Sequence, residues 1–396
     1  MLINGKRALA YIVAIDEIRP IPNYDRVEHA RTNGWWVIVS KNDNLKVGDK
    51  CVYFEIDSRV PSNDPRFAFL EKRDFKVRTL KMCKVISQGL LMPVSAFGFD
   101  DLPVGTDVTE KLGITYAVDD DNVRKSTPNA QARYTGMQYR HKKLFKTKLF
   151  RWLMRHERGR KILFAIFGRK TDTPLPFPSC ISHTDEERCE IMPWILGTDI
   201  EYVATEKIDG TSSTYLLERK PFGKFDYAVC SRNLGLHRPK NEREANSYWA
   251  MEFKYNIEKH LKEYLAANPD KKFICIQGEI AGPGIQKNPL SLDDIQLFGF
   301  NVIDDVNGRW PSYKGRELLE SFGIQWVPVL GTTTLPATME ELKATADGNS
   351  ALSPGRLREG IVYRSLNGKN SFKNVSNEYL LHQGKLKPRK KAATNE

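Results

Sequence analysis

Lys207 stands in the run Thr205-Glu206-Lys207-Ile208-Asp209-Gly210-Thr211-Ser212, a lysine at a strand end beside an acid and a glycine turn. A lysine amine becomes a nucleophile once its pKa is pulled towards neutrality, which desolvation on a buried strand or a nearby cation can do. Taken alone, the run describes a surface lysine next to a turn equally well. Its weight comes from the ordered groups that follow. These are Ser231-Arg232-Asn233 after a strand, Gly278-Glu279-Ile280-Ala281-Gly282-Pro283-Gly284-Ile285-Gln286, Phe298-Gly299-Phe300-Asn301, Glu359-Gly360-Ile361-Val362-Tyr363-Arg364 and Ser371-Phe372-Lys373.

The elements that carry these residues are legible from periodicity. Between Thr171 and Lys385 the segments EYVATEKI, TSSTYLLE, DYAVCSR, KFICIQGEI, IQLFGFNVID and GIVYRS read as strands, and ANSYWAMEFKYNIEKHLKEYLAAN reads as one long helix, an α+β domain. Upstream, Leu9 to Pro93 alternates short strands with turns. AYIVAIDEI is expected to end at Pro20 and Pro22, and Asn33-Gly34 between VEHART and WWVIVS signals a two-residue hairpin with both residues at positive φ. Five or so strands almost without helix suggest a small barrel of the OB kind, a fold that often binds oligonucleotides. A purely structural β-domain is the alternative. The division expected is residues 1–115 for the barrel, 116–170 for a linker and basic helical insertion, 171–385 for the α+β domain and 386–396 for a basic disordered tail.

Charge concentrates the question of a partner. The 396 residues hold 61 Lys+Arg against 49 Asp+Glu, a net +12 that makes a polyanion a reasonable partner. Residues 140–170 alone contain twelve Lys or Arg and one acid, Glu157. Phe145, Leu149, Trp152, Leu153 and His156 fall at helical spacing there, continued by Ile162, Leu163, Ile166 and Phe167, so the segment reads as a basic amphipathic helix. Nucleic acid, an anionic membrane surface and a neighbouring domain are its three candidate partners. Arg151, Arg155 and Arg158 are the candidate nucleic-acid-binding residues. Six scattered cysteines without a CxxC pair read as buried reduced thiols, and neither a secretory leader nor a run of about 18 apolar residues occurs. A cytoplasmic protein is expected.

The ordered motifs resemble the covalent nucleotidyltransferase superfamily of polynucleotide ligases and mRNA capping enzymes, and its RNA ligase 2 branch more closely. Thr184 to Arg188 (TDEER) and Gly278 to Asn288 (GEIAGPGIQKN) are similar to that branch specifically. PIPNYDRVE, NGWWVIV, KVGDKCVYFEIDS and ISQGLL are similar to the OB domain that precedes the catalytic domain in the bacterial and phage RNA ligase 5 family. The resemblance covers most of the chain except residues 116–170. It implies an α+β multidomain protein, an OB-like barrel followed by a nucleotidyltransferase domain of antiparallel sheets and helices. The implied activity is an ATP-dependent RNA ligase that seals 3′-OH/5′-phosphate nicks bearing an RNA 3′-OH end, with Mg2+ or Mn2+ as cofactor. The implied partner is nicked duplex RNA or an RNA/DNA hybrid, with no membrane, and the protein is expected to be a monomer.

Roles follow from the resemblance residue by residue. Lys207 would attack the α-phosphorus of ATP, release pyrophosphate and carry AMP, with Asp209 and Gly210 completing the nucleotide-binding turn. Phe300 would stack on adenine, Glu279 would accept hydrogen bonds from the ribose, and Glu206 would help read the adenine edge. Arg232 would grip a phosphate or the RNA end. Glu359, with Glu279 as a second carboxylate, would hold the metal, and Lys373 would neutralise charge on the α-phosphate. The sequence departs from the pattern at Ser371, where related ligases commonly carry another lysine. The alternatives are a DNA ligase, a capping-type guanylyltransferase using GTP, and a noncatalytic nucleic-acid-binding module.

Overall fold

The computed structural model describes residues 2–3, 6–117, 141, 143–168 and 175–383. Its main elements run in chain order. First come β1 (Ala10–Ala14), β2 (Glu17–Ile21), β3 (Tyr24–Thr32), β4 (Trp35–Ser40), β5 (Lys50–Phe54), β6 (Leu80–Met82), β7 (Val85–Ser87) and β8 (Leu90–Pro93). Helices α1 (Lys148–Arg155) and α2 (Glu157–Phe167) follow. Then come β9 (Glu201–Lys207), β10 (Thr211–Arg219), β11 (Phe225–Ser231), α3 (Ser247–Tyr255), α4 (Ile257–Ala267), β12 (Phe273–Ala281), β13 (Gln296–Asp304) and α5 (Ser312–Ser321). The last are β14 (Val329–Thr334), α6 (Met339–Thr345), β15 (Gly360–Ser365), β16 (Ser371–Val375) and α7 (Asn377–Gln383).

The N-terminal strands form two antiparallel three-stranded sheets, ordered β8-β5-β1 and β2-β3-β4. The turn between β3 and β4 is the expected one, with Asn33 at φ 48 and Gly34 at φ 80. β4 alternates as a half-buried strand should, with Trp35, Val37 and Val39 in the core. Pro20 does not stop the chain from pairing. It lies in β2, the edge strand, where a missing N–H breaks no ladder, and the register shifts between Pro20 and Ile21.

Among the described residues the chain packs as two compact units, one of Met1–Asp121, Glu186–Lys207 and Pro328–Glu396, the other of Asn122–Asp185 and Ile208–Val327. Packing thus cuts across the boundaries expected from the sequence. In the first unit β14, β9, β15 and β16, with the short strand Glu187–Arg188, make a five-stranded sheet. Its Tyr202, Ala204, Ile361, Tyr363 and Phe372 lie in one buried cluster with Tyr11, Val13, Trp35, Val37 and Tyr53 of the N-terminal sheets. Each large apolar side chain among them contributes about 1.5–3 kcal/mol on burial, and the barrel strands and the ligase-type sheet share one core.

In the second unit β10, β11, β12 and β13 form the centre of an antiparallel-rich sheet. Leu216, Cys275, Ala228 and Ile303 pack with Ile181 and Phe177 on one face, and on the other the Tyr215 hydroxyl donates to the carbonyl of Tyr248 in α3. The single long helix read from the sequence is two, because Asn256 takes a left-handed conformation (φ 50) between α3 and α4. The basic amphipathic helix is likewise two, broken where His156 is extended. The two helices pack through Phe145, Phe150, Leu153, Met154, Phe164 and Phe167 around Leu163. That choice of face leaves Leu149 and Trp152, expected on the buried stripe, 61% and 56% exposed. Of the expected linker only Tyr116 and Ala117 fall within the described residues, and the basic tail falls outside them.

All six cysteines are free thiols. Cys51, Cys189, Cys230 and Cys275 are buried as expected, whereas Cys180 is exposed and Cys83 half-buried, both on loops the apolar pattern does not reach.

Asp304 closes the far end of β13. Its carboxylate accepts from Lys271 Nζ at 2.7 Å, from the backbone N–H of Val306 and Asn307 at 2.9 and 2.6 Å, and from Trp310 Nε1 at 2.8 Å. Burial pushes its pKa up, but these donors outweigh burial and hold it at about 2, against an ordinary 3.8. The depressed value stabilises the fold above the ordinary pKa, and that stability is lost as pH falls through the folded one. We expect denaturant midpoints to decline between about pH 4 and pH 2, and Asp304→Asn to flatten that decline while lowering stability at pH 7. An unchanged acid slope in Asp304→Asn would count against the assignment.

Candidate active site

The register of the five-stranded sheet sorts the residues singled out from the sequence. Lys207 lies opposite Gly360 of β15, Thr205 opposite Val362, and Val362 in turn opposite Lys373 of β16. Directly opposed residues share a face and alternate residues along a strand return to it. Lys207, Lys373, Ser371 and Arg364 therefore occupy one face, while Tyr202, Ala204, Glu206, Ile361, Phe372 and Asn374 occupy the core face. On the first face Lys207 Nζ lies 2.5 Å from Glu359 Oε2, with the two side chains 25% and 18% exposed. Arg364 Nη2 donates to Glu186 Oε1 at 3.2 Å.

Glu206, expected at the adenine edge, lies on the opposite strand face from Lys207. Its carboxylate accepts from the Ser350 hydroxyl at 2.5 Å and from the Ala351 N–H at 2.7 Å. Strand alternation is the reason, since Glu206 and Lys207 are neighbours in one strand. Gly360 has a steric role: a Cβ there would sit 2.2 Å from the Asn374 carbonyl oxygen. Only glycine lets β15 and β16 close up beside Lys207.

The remaining residues belong to the second unit. Glu279 lies in β12 between Ser212 of β10 and Phe298 of β13. Pairing passes from Gly278↔Gly299 to Gln277↔Asn301, so Phe300 is the extra residue of a β-bulge, a feature that re-aims a side chain. It is half-buried, in contrast to the fully buried Phe298. Gly210 lies against β12, where a Cβ would meet the Ile280 carbonyl oxygen at 2.3 Å and Glu279 Cγ at 2.9 Å. Asp209, next to it in the turn, is half-buried. Arg232 follows β11 and is engaged by both oxygens of Asp185, one of them 3.2 Å from Nε. Its carbonyl oxygen lies 2.9 Å from His183 Nδ1. Arg151, Arg155 and Arg158 are exposed on α1 and α2.

Sequence reasoning did not single out Asp185, Glu186, Ser350, Arg358 or Asn374. Asp185 and Glu186 sit in the TDEER run and could have been found there, whereas the partners of the other three lie elsewhere in the chain.

Among the described residues no group of three or more His, Cys, Asp or Glu could hold a metal alone. The carboxylate at Lys207 is Glu359. Such a sparse set fits Mg2+ or Mn2+ better than a metal caged by protein, because a small hard ion keeps several waters and takes phosphate oxygens with one or two carboxylates.

Residues 9–94 match an OB-fold domain family, and residues 200–375 match the RNA ligase family. Comparison with curated protein sequences finds no match. Among solved structures the chain is similar to a Naegleria gruberi RNA ligase mutant with AMP and Mn, at 26% identity and a TM-score of 0.62 over 94% of this chain and 98% of that one. It is similar to the same enzyme with pyrophosphate at 28% identity and a TM-score of 0.63, over 95% and 98%. A further mutant, with ATP and Mn, matches at 27% identity and a TM-score of 0.62, over 94% and 98%. The fold is that of a polynucleotide ligase. An OB-fold domain thus precedes an RNA ligase domain in this chain.

Gly360→Ala should cost more than about 2 kcal/mol, because the methyl group drives two paired strands apart. Chemical denaturation measures this, and a midpoint equal to wild type would show that the sheet relaxes without cost.

Proposed function

We propose that the protein is an ATP-dependent RNA ligase that seals 3′-OH/5′-phosphate nicks with an RNA 3′-OH end, through a covalent lysyl-AMP on Lys207. The observation that carries this reading is the Lys207–Glu359 contact of 2.5 Å on the sheet face that also bears Lys373, inside the segment that matches the RNA ligase family.

Three steps follow from the groups present. In the first, Glu359 releases the Lys207 ammonium, which loses a proton to solvent water, and the free amine forms an N–P bond to the α-phosphorus of ATP as the bond to pyrophosphate breaks. Lys373 neutralises charge on the in-line phosphoryl group. In the second, the 5′-phosphate of the nick displaces Lys207 from AMP. In the third, the 3′-OH attacks the capped phosphate and AMP leaves. A divalent ion held by Glu359, when bound, supplies charge neutralisation at the transferring phosphate. Glu279 and Phe300 serve nucleoside recognition, with Phe300 presented by its bulge, and Arg232 binds phosphate after exchanging Asp185 for it.

Arg151, Arg155 and Arg158 contact the substrate backbone, supported by their exposure and by the twelve basic residues of 140–170. The substrate is nicked duplex RNA or an RNA/DNA hybrid, and the enzyme acts as a monomer in the cytoplasm, where the six unpaired thiols suit a reducing compartment. Among the described residues no helix is long and apolar enough to cross a membrane.

With α-labelled ATP and Mg2+ or Mn2+, the wild type should take up acid-labile label and Lys207→Ala none. Nicks with an RNA 3′ end should then be sealed faster than all-DNA nicks. Label from GTP alone would favour a capping enzyme, equal sealing of DNA ends a DNA ligase, and no label under any condition a noncatalytic module. Neutralising Arg151, Arg155 and Arg158 together should weaken nick binding and reduce the slope of log affinity against log salt by up to about 3. An unchanged slope would remove these residues from the interface.

A further inference from the structure

Each functional side chain of the first unit has a chain neighbour bonded to the same stretch of structure, residues 342–351, which comprises the end of α6 and the loop after it. Beside Lys207, Glu206 accepts from Ser350 and Ala351, and Glu206 and Ser350 are only 2% and 3% exposed. Beside Glu359, Arg358 donates through Nε to the Ala346 carbonyl at 3.0 Å and through Nη2 to those of Thr345 and Asp347 at 2.8 and 2.7 Å. These carbonyls end α6, where a helix has no acceptors' partners of its own and its dipole favours a cation. Beside Lys373, Asn374 donates through Nδ2 to the Leu342 carbonyl and to Thr345 Oγ1.

Two more contacts close the arrangement. Asp347 Oδ1 accepts from the Ser376 hydroxyl at 2.6 Å, and the Ser376 N–H donates to the Glu359 carbonyl at 2.9 Å. Lys343 donates to the Val375 carbonyl at 2.7 Å and pairs with Glu190 at 2.9 Å, both side chains buried. Burial pushes the Glu190 carboxyl up, but Lys343 and Arg188 outweigh it and hold the pKa below its ordinary value. The stretch is thus anchored to β9, to β16 and to the turn that carries Glu359.

We propose that residues 342–351 are a shared template, and that Glu206, Arg358 and Asn374 are positioning residues that hold Lys207, Glu359 and Lys373 in register for adenylyl transfer. The proposal rests on the ligase reading above and adds a role for three residues that do not touch the reacting atoms. Lost register is expensive because an error of about 1 Å between reacting groups can cost on the order of 100-fold in rate.

The test combines single-turnover AMP transfer, equilibrium ATP binding and crystal structures of variants. Glu206→Ala and Arg358→Ala should each slow AMP transfer by roughly 10- to 100-fold, with ATP affinity changed less than about twofold and the defect unchanged at temperatures where folding is complete. Glu206→Gln should retain most of the rate, because an amide can still accept from Ala351 N–H and can donate to Ser350. The double variant should lose less than the product of the single losses, since both act through one segment. In the Glu206→Ala crystal structure the Lys207–Glu359 contact should open beyond 4 Å.

A loss of ATP affinity that accounts for the whole rate defect would make Glu206 a nucleotide contact and overturn the proposal. So would Glu206→Gln as slow as Glu206→Ala, or an unchanged Lys207–Glu359 distance. If wild type takes no label, the ligase reading fails, and the crystal structures still decide whether the template holds the pair.

Discussion

Strand alternation is the constraint on which this site depends. In β9, β15 and β16 the side chains of one face fill a core, and those of the other face, Lys207 and Lys373 among them, point away from it. Tyr202, Ala204, Ile361, Tyr363 and Phe372 cannot leave the core face without opening a buried cluster that also holds Tyr11, Trp35 and Tyr53. Lys207 and Lys373 are therefore placed as firmly as the core is packed, although neither contributes to it. A one-residue slip of any of these strands would send its functional residue into apolar surroundings and an aromatic side chain into water.

Polar groups on the core face need partners, and here they find them in one place. Buried carboxylates, guanidinium groups and amides are costly unless hydrogen-bonded. Glu206, Asn374, Lys343 and Glu190 meet that demand through α6 and its loop, so the hydrogen bonds that satisfy the interior also define the backbone beside Lys207. The same logic holds Asp304 in the second unit, where five donors converge on one carboxylate at the end of β13.

Glycine marks the places where backbones must touch. Gly360 lets β15 lie against β16 at the level of Lys207, and Gly210 lets the turn after Asp209 lie against β12 beside Glu279. Both come from motifs that drew notice for the charged residues next to them. Their steric role is equally specific, because in each case a single methyl group would overlap a carbonyl oxygen.

The sequence by itself determined the strands that carry Lys207 and Lys373, the hairpin at Asn33-Gly34, the ordered motifs from Lys207 to Lys373, and with them the likeness to ligases. These are local properties, written in the period of apolar residues and in turn chemistry. Helix breaks at Asn256 and His156 were not legible, since both interrupt continuous apolar periodicity with one residue whose conformation is set by packing. Neither was the exposure of Leu149 and Trp152, because which stripe of an amphipathic segment is buried depends on the helix packed against it. Only the tertiary structure decided that the barrel strands share a core with the Lys207 sheet, that Phe300 sits in a bulge, and that Glu206, Arg358 and Asn374 converge on residues 342–351. Those contacts join residues up to 145 apart in the chain, and no local pattern encodes which distant group will satisfy a buried polar one.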